Sequence, residues 1–344
     1  MKVLIVGAGG FIGGFIAREA LSRGYETWCG VRESTSRRYL TDPALKFITL
    51  DYDDPQKLTE QLRDHTWDYI VYNLGATKCV NFSDFNQINY IYLRNFCEAL
   101  ITNNQHPAKF IYMSSLSAIG PGDEKTYSPL TNSMIPQPNT RYGLSKIKAE
   151  TLLQTLPAEF PWIILRPTGV YGPHEQDYLM MIKSIDSHFD FGVGFRRQML
   201  TFIYVEDLAR AIFDAIEKAP VHKKYIISEP RAYSQKEFRR IVARELGRRL
   251  VIPVRLPLWA LKIACKVSEK YGAAKMQPVT LNSDKYNIMA QRNWSCDISE
   301  ARRDFGFDPQ IDLSEGIRRT VRAYRTETEE QQRLKKEEKK RKNN

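Results

Sequence analysis

The chain has 344 residues, 42% hydrophobic and 26% charged, which is enough apolar material for a sizeable core and too much for a disordered chain. The formal charge is +11, partly carried by residues 325–344 with eight Lys/Arg against five Glu; no nucleic-acid-binding motif accompanies it, so no nucleic-acid partner is expected, and a phosphate-rich cofactor or an anionic membrane surface accounts for it more simply. The five cysteines, Cys29, Cys79, Cys97, Cys265 and Cys296, show no CxxC spacing, which argues against a disulfide framework or zinc site and for reduced thiols in the cytoplasm.

Residues 2–6 are a continuous apolar run ending at Gly7, the pattern of a strand buried on both faces. The glycines interrupt this run too early for a secretory leader. Over residues 9–21 the apolar side chains Phe11, Ile12, Phe15, Ile16 and Ala20 recur at helical spacing, and residues 22–24 stop the helix. Further strands are predicted over 27–31, 46–50, 69–74, 109–113 and 162–165, with helices over about 86–102 and 141–156. Beyond Gly172 the pattern becomes irregular. Residues 201–205 read as a strand returning to the sheet and 207–218 as its helix. Residues 234–246 form an amphipathic helix that Ser234 can cap, and 256–271 and 298–305 belong to a smaller C-terminal lobe. This alternation predicts an α/β protein with a doubly wound parallel sheet. The sheet unit is residues 1–172 with 201–228 returning to it, the substrate lobe is 173–200 and 229–325, and 326–344 is a charged tail, disordered or a frayed helix. No stretch is long and apolar enough to span a membrane.

The turn after the first strand reads Gly7-Ala8-Gly9-Gly10-Phe11-Ile12-Gly13. Gly7, Gly10 and Gly13 allow a tight turn, close approach of a pyrophosphate to the backbone, and tight packing of helix on strand, which is the Rossmann pattern for a dinucleotide. The free N–H groups of the following helix would face the phosphates. The second strand ends Cys29-Gly30-Val31-Arg32 with no acid to grip a ribose diol. Arg32 can instead pair with a 2′-phosphate, so NADP is expected ahead of NAD. Asp51, just after the third strand, is placed to accept from an adenine amine, with Tyr52 beside it among the cofactor-binding candidates.

Tyr142 and Lys146 are four residues apart on a predicted helix and so share a face. A cation near the phenol favours the phenolate and lowers its pKa, which would let Tyr142 exchange a proton with a carbonyl or alcohol. Ser115, at the end of the fifth strand, can hydrogen-bond the reacting oxygen. Asn89 can order a water against Lys146. No metal site is expected.

These residues, with Asn73-Leu74-Gly75-Ala76, Asn95, Gly120, Arg166-Pro167-Thr168, Tyr171-Gly172-Pro173 and Tyr204-Val205-Glu206-Asp207, give the chain its resemblance. Over about residues 1–325 it resembles the extended short-chain dehydrogenases of the epimerase/dehydratase-like group. The resemblance implies Ser115, Tyr142 and Lys146 as the catalytic group with Asn89 in support. It implies that Leu74, Gly75 and Ala76, together with Pro167 through Val170, line the cofactor.

Two departures narrow the expectation. Sugar-nucleotide epimerases in the group carry an arginine where this chain has Leu200; Arg196 and Arg197 are out of register. Sugar dehydratases place Asp-Glu after the strand-end hydroxyl, where this chain has Leu116-Ser117. The pattern is closer to dihydroflavonol-type reductases and 3β-hydroxysteroid dehydrogenases. Phe82, Phe85, Met180, Met181, Phe189, Phe191, Phe195 and Met199 are candidates for an apolar substrate lip. Residues 256–271 can form an amphipathic helix with Lys262, Lys266 and Lys270 on a shared face, suited to packing on the lobe or to a membrane surface. The expected function is NADP-dependent reduction of a ketone, or oxidation of a secondary alcohol, on a hydrophobic small molecule such as a sterol or sphingoid ketone. A nucleotide-sugar epimerase and a non-catalytic NAD(P)-binding sensor are the alternatives; homodimerisation and peripheral membrane contact stay open.

Overall fold

The computed structural model describes residues 1–275, 277, 279 and 281–343, with side chains through Glu329. Its first half is built from β1 (Lys2–Val6), α1 (Phe11–Ser22), β2 (Glu26–Val31), β3 (Lys46–Thr49), α2 (Pro55–Arg63) and β4 (Tyr69–Tyr72). A helical run follows as α3 (Phe82–Asn86), a π turn over Gln87–Ile91 and α4 (Tyr92–Thr102). Then come β5 (Lys109–Met113), a 3₁₀ turn (Leu116–Ala118), α5 (Arg141–Thr155), β6 (Trp162–Pro167) and β7 (Gly169–Tyr171). The rest is α6 (Gln176–Asp186), β8 (Phe189–Val193), β9 (Met199–Leu200), β10 (Phe202–Tyr204), α7 (Val205–Lys218), β11 (Lys223–Ile227), β12 (Tyr233–Ser234), α8 (Gln235–Leu246) and β13 (Ile252–Leu256). Four helices close the chain: α9 (Leu258–Ala274), α10 (Ser283–Ala290), α11 (Ser299–Phe305) and α12 (Leu313–Asn343).

Seven strands make one sheet in the order β11-β6-β5-β4-β1-β2-β3, and every pairing in it is parallel. The order reverses between β1 and β4, where a doubly wound sheet opens its ligand crevice. Parallel strands need both faces covered, which is why β1, β5 and β6 are almost wholly apolar. One face buries Val3, Ile5, Val71, Ile111 and Ile163 under α1 and α7. The other buries Leu4, Val6, Ile70, Phe110 and Ile164 under α2, α4 and α5. A third core joins α6, α8 and α12 through Ile182, Phe238, Val242 and Ile317.

One expectation changes and two are filled in. Residues 202–204 are extended, but β10 pairs with β7 in a separate two-stranded ribbon, and the seventh strand of the sheet is β11. The irregular stretch after Gly172 contains β8, which pairs in parallel with β13. The charged tail, expected as frayed or disordered, continues α12 as helix to Asn343; Asn344 lies outside the described residues. Asp207 shows how the C-terminal segment is tied to the sheet unit. Its buried carboxylate accepts the backbone N–H groups of Gln310 (3.0 Å) and Ile311 (2.8 Å) and pairs with Arg210. Among the described residues no helix is long and apolar enough to cross a membrane.

Candidate active site

A cleft of about 1240 Å³ runs over the carboxyl ends of the central strands. One end is the glycine turn. Gly7 has φ +81°, a left-handed conformation, and a Cβ there would lie 2.8 Å from the backbone of Leu74. A Cβ on Gly9 would collide with Thr35. The N-cap of α1 is Gly10, without a side-chain cap, so the first N–H groups of the helix stay free for an anion. Thr35 is fixed by reciprocal bonds with Arg32, its N–H to the Arg32 carbonyl (2.9 Å) and its hydroxyl accepting from the Arg32 N–H (3.0 Å). Arg32, Ser34, Thr35 and Ser36 line this end together. Its glycine cradle, uncapped helix and exposed hydroxyls fit the pyrophosphate and ribose of a dinucleotide.

Of the cofactor candidates, Gly7, Gly10, Phe11, Ile12, Arg32, Tyr52, Leu74, Gly75, Pro167 and Val170 line the cleft. Gly13 does not; it sits against the carbonyls of Gly7 and Ala8 and lets α1 pack on the turn. Asp51 is not among the lining residues, and its carboxylate pairs with Lys57 at 3.0 Å. Ala76 lies behind the wall, held by Asn89, whose Oδ1 accepts from Ala76 N–H (2.7 Å) and whose amide donates to Ala76 O (3.0 Å) and Ser145 Oγ (2.9 Å). The side chain of Asn89, wholly buried, is thus taken up by the Ala76 backbone and the Ser145 hydroxyl.

At mid-cleft Ser115, Tyr142 and Lys146 come together. Helix α5 is capped at its own start by Thr140, whose hydroxyl accepts from Gly143 N–H (2.9 Å). It is capped again by Asp284 of α10, which accepts from the N–H groups of Arg141 (3.0 Å) and Tyr142 (3.1 Å). Gly143 lets the helix touch the carbonyl of Ser117, which brings Tyr142 beside the Ser115 turn. Lys146 is 4% exposed and donates to the carbonyl of Met113 at 2.8 Å, with Nζ 6.0 Å from the centre of the Tyr142 ring. Beneath it Glu150, wholly buried, accepts from Arg166 (2.5 and 3.0 Å) and from Ser114 Oγ (2.5 Å).

The electrostatics correct one expectation. Burial pushes the Tyr142 phenol up to about 12, opposed by the Ser115 hydroxyl, instead of being lowered by Lys146. Burial also lowers Lys146 to about 8, partly offset by the Glu150 carboxylate. Desolvation is the largest cause of both displacements.

The cleft is also lined by Met180, Met181, Phe191, Leu200, Phe202 and Trp294. Of the eight apolar lip candidates, Met180, Met181 and Phe191 line it. Phe82, Phe85, Phe189, Phe195 and Met199 do not; Phe85 packs beside Tyr142 at 6.2 Å, and Phe195 is 78% exposed. Asp177, bridged by Lys78 (2.6 Å) and Lys285 (3.0 Å), supplies charge at the rim. Sequence reasoning missed Thr35, Ser36, Asp177, Asp284 and Lys285, all in loops or on elements whose contacts join distant segments. Arg196 pairs with Glu124 at the surface.

Sheet order, glycine turn and crevice define a Rossmann-fold protein. The chain belongs to the NAD dependent epimerase/dehydratase family, whose model matches residues 3–228. It is 23% identical to a dTDP-glucose 4,6-dehydratase of Neisseria meningitidis (94% of this chain, 93% of the relative) and 24% identical to a ceramide reductase of Caulobacter vibrioides (94% of each). Its fold is similar to the crystal structure of UDP-glucose 4-epimerase from Thermotoga maritima, with TM-score 0.76, 20% identity, and coverage of 95% of this chain and 100% of that one.

Proposed function

We propose that the protein is an NADP-dependent reductase of a ketone on a hydrophobic, lipid-like molecule such as a sphingoid or sterol ketone. The observation that carries this reading is the cleft itself, in which Ser115, Tyr142 and Lys146 stand between a dinucleotide-shaped end and an end walled by Met180, Met181, Phe191, Leu200 and Phe202. Arg32, with the hydroxyls of Ser34, Thr35 and Ser36, would hold a 2′-phosphate, and Lys146 the nicotinamide ribose. When bound, the cofactor supplies the hydride.

The chain's own residues supply the proton. Tyr142 is protonated at neutral pH, as an ordinary phenol is, and burial raises it further to about 12, so it is an acid in the form that reduction needs. Its phenol gives the proton to the carbonyl oxygen, which Ser115 holds by a second hydrogen bond. The phenolate left behind sits beside the Lys146 ammonium. The apolar walls take up the substrate's hydrocarbon, and the Asp177–Lys285 pair at the rim suits a polar headgroup. Similarity to a ceramide reductase over nearly the whole chain supports a lipid substrate.

Nucleotide-sugar chemistry is the second reading, favoured by similarity to a dTDP-glucose dehydratase. Leu200 at the diphosphate-gripping position and Leu116-Ser117 in place of Asp-Glu weigh against it. The deciding experiment is NADPH oxidation across long-chain keto lipids, beside thermal shifts with UDP-, GDP- and dTDP-sugars. Turnover of a keto lipid is expected; strong stabilisation by any sugar nucleotide would overturn the choice.

A further inference from the structure

Helix α9 carries a surface that the site does not use. Its buried side, Leu261 and Cys265, packs on Val193 and Met289, and both of those residues also line the cleft. The helix is therefore an outer wall of the cleft. On its other side Trp259, Ile263, Val267 and Tyr271 fall at four-residue intervals and are 68, 57, 63 and 60% exposed. A helix on the surface of a water-soluble lobe places polar residues there. Ala260 and Ala264 make the stripe continuous. Exposed Lys262, Lys266 and Lys270 run along one edge of it, at the same spacing. The one acid of the helix, Glu269, is turned inward to Arg141 and Ser283. Pro257 joins α9 to β13, and the ribbon of β13 with β8 exposes Phe189, Phe191, Ile252 and Leu256. Phe191 belongs to the lip of the cleft.

We propose that this surface docks the protein on an anionic lipid bilayer, with α9 lying in the headgroup layer and the cleft's lip facing the lipid. An interfacial helix has this composition: an apolar stripe with an indole and a phenol at its ends and a row of lysines beside it. Charge selects the occupant. A second copy meeting α9 with α9 would set two lysine rows together with no outward carboxylate on the helix to answer them, whereas anionic headgroups answer all three cations. The use of the surface, delivery of a lipid ketone without passage through water, rests on the reductase reading; the docking itself does not.

The test is co-sedimentation of the full chain with vesicles of roughly 70:30 phosphatidylcholine to phosphatidylglycerol, and of phosphatidylcholine alone. The wild type should bind the anionic vesicles and release at high salt. K262Q/K266Q/K270Q should weaken binding about fivefold per lysine, roughly a hundredfold in all. I263D/V267D should weaken it more than about tenfold. All substituted side chains are exposed, so thermal unfolding and NADPH affinity should match the wild type. No wild-type binding to anionic vesicles would overturn the proposal. Equal binding by the wild type and both variants would overturn it too. A dimer that I263D/V267D dissolves, without vesicle binding, would assign the surface to a second copy instead. Turnover of a detergent-dispersed keto lipid is read separately, so failure of docking and failure of the reductase reading are distinguishable.

Discussion

Replacing Lys146 by Met should stabilise the protein while abolishing turnover. The ammonium is 4% exposed, and burial lowers it from 10.5 to about 8. At neutral pH that displacement corresponds to roughly 3 kcal/mol spent holding the charge in the fold. Methionine fills similar space without charge. It loses the hydrogen bond to the Met113 carbonyl, about 1–1.5 kcal/mol. The balance favours the variant by roughly 1–2 kcal/mol below pH 8. The sign with pH follows from proton counts. Between pH 8 and 10.5 the unfolded chain binds more protons at this group than the folded one, so the wild type gains stability as pH rises through that window. The advantage of the variant should therefore shrink from pH 8 upward, vanish near about pH 9.5, where the remaining charge penalty equals the lost hydrogen bond, and be reversed by about 1 kcal/mol at 10.5. Urea unfolding of both proteins at several pH values measures this. A variant less stable than the wild type at pH 6.5, or a difference independent of pH, would refute the reasoning. A buried amine retained at such a cost is expected where chemistry requires it.

Two other substitutions probe the flanks of the site. Arg32→Asp should lose roughly 1.5–3 kcal/mol of NADPH binding, the scale of a charge-assisted hydrogen bond, and little NADH binding; equal wild-type dissociation constants for the two cofactors would contradict the assignment. Glu150→Gln breaks a buried ion pair and leaves Arg166, 1% exposed, without its counter-charge, so it should destabilise by about 3–5 kcal/mol in chemical denaturation.

The sheet was legible in the sequence because buried parallel strands are short apolar runs that few other elements imitate, and the glycine turn because Gly7 has a geometry that other residues adopt only with strain. Residues 202–204 were legible as extended but not as to partner, since an apolar triplet looks the same beside β7 as in the main sheet. Helix α2 had a readable start, Asp54 capping it before Pro55, yet went unmarked among its polar neighbours. Within the site, Tyr142 and Lys146 were visible from their spacing together with their place after the serine-rich end of the fifth strand, but not the outcome of their electrostatics, which depends on how much water the fold removes. The partner of Asp51, Lys57, could not be read from the sequence because it becomes a neighbour only when α2 forms. Thr35 was hidden because it meets Gly9 through the path of a loop, which no periodicity encodes.

The central claim is that Tyr142 is the proton donor in an NADPH-dependent ketone reduction. Single-turnover NADPH oxidation with a keto lipid, comparing wild type with Tyr142→Phe, tests it most directly. The variant removes one hydroxyl from a cleft wall and should keep its fold and NADPH affinity. Its rate should fall roughly 10²–10⁴-fold, the usual contribution of a positioned general acid, with Ser115→Ala falling between it and the wild type. A near-normal rate in Tyr142→Phe would contradict the account, and the proton donor would then have to be sought elsewhere.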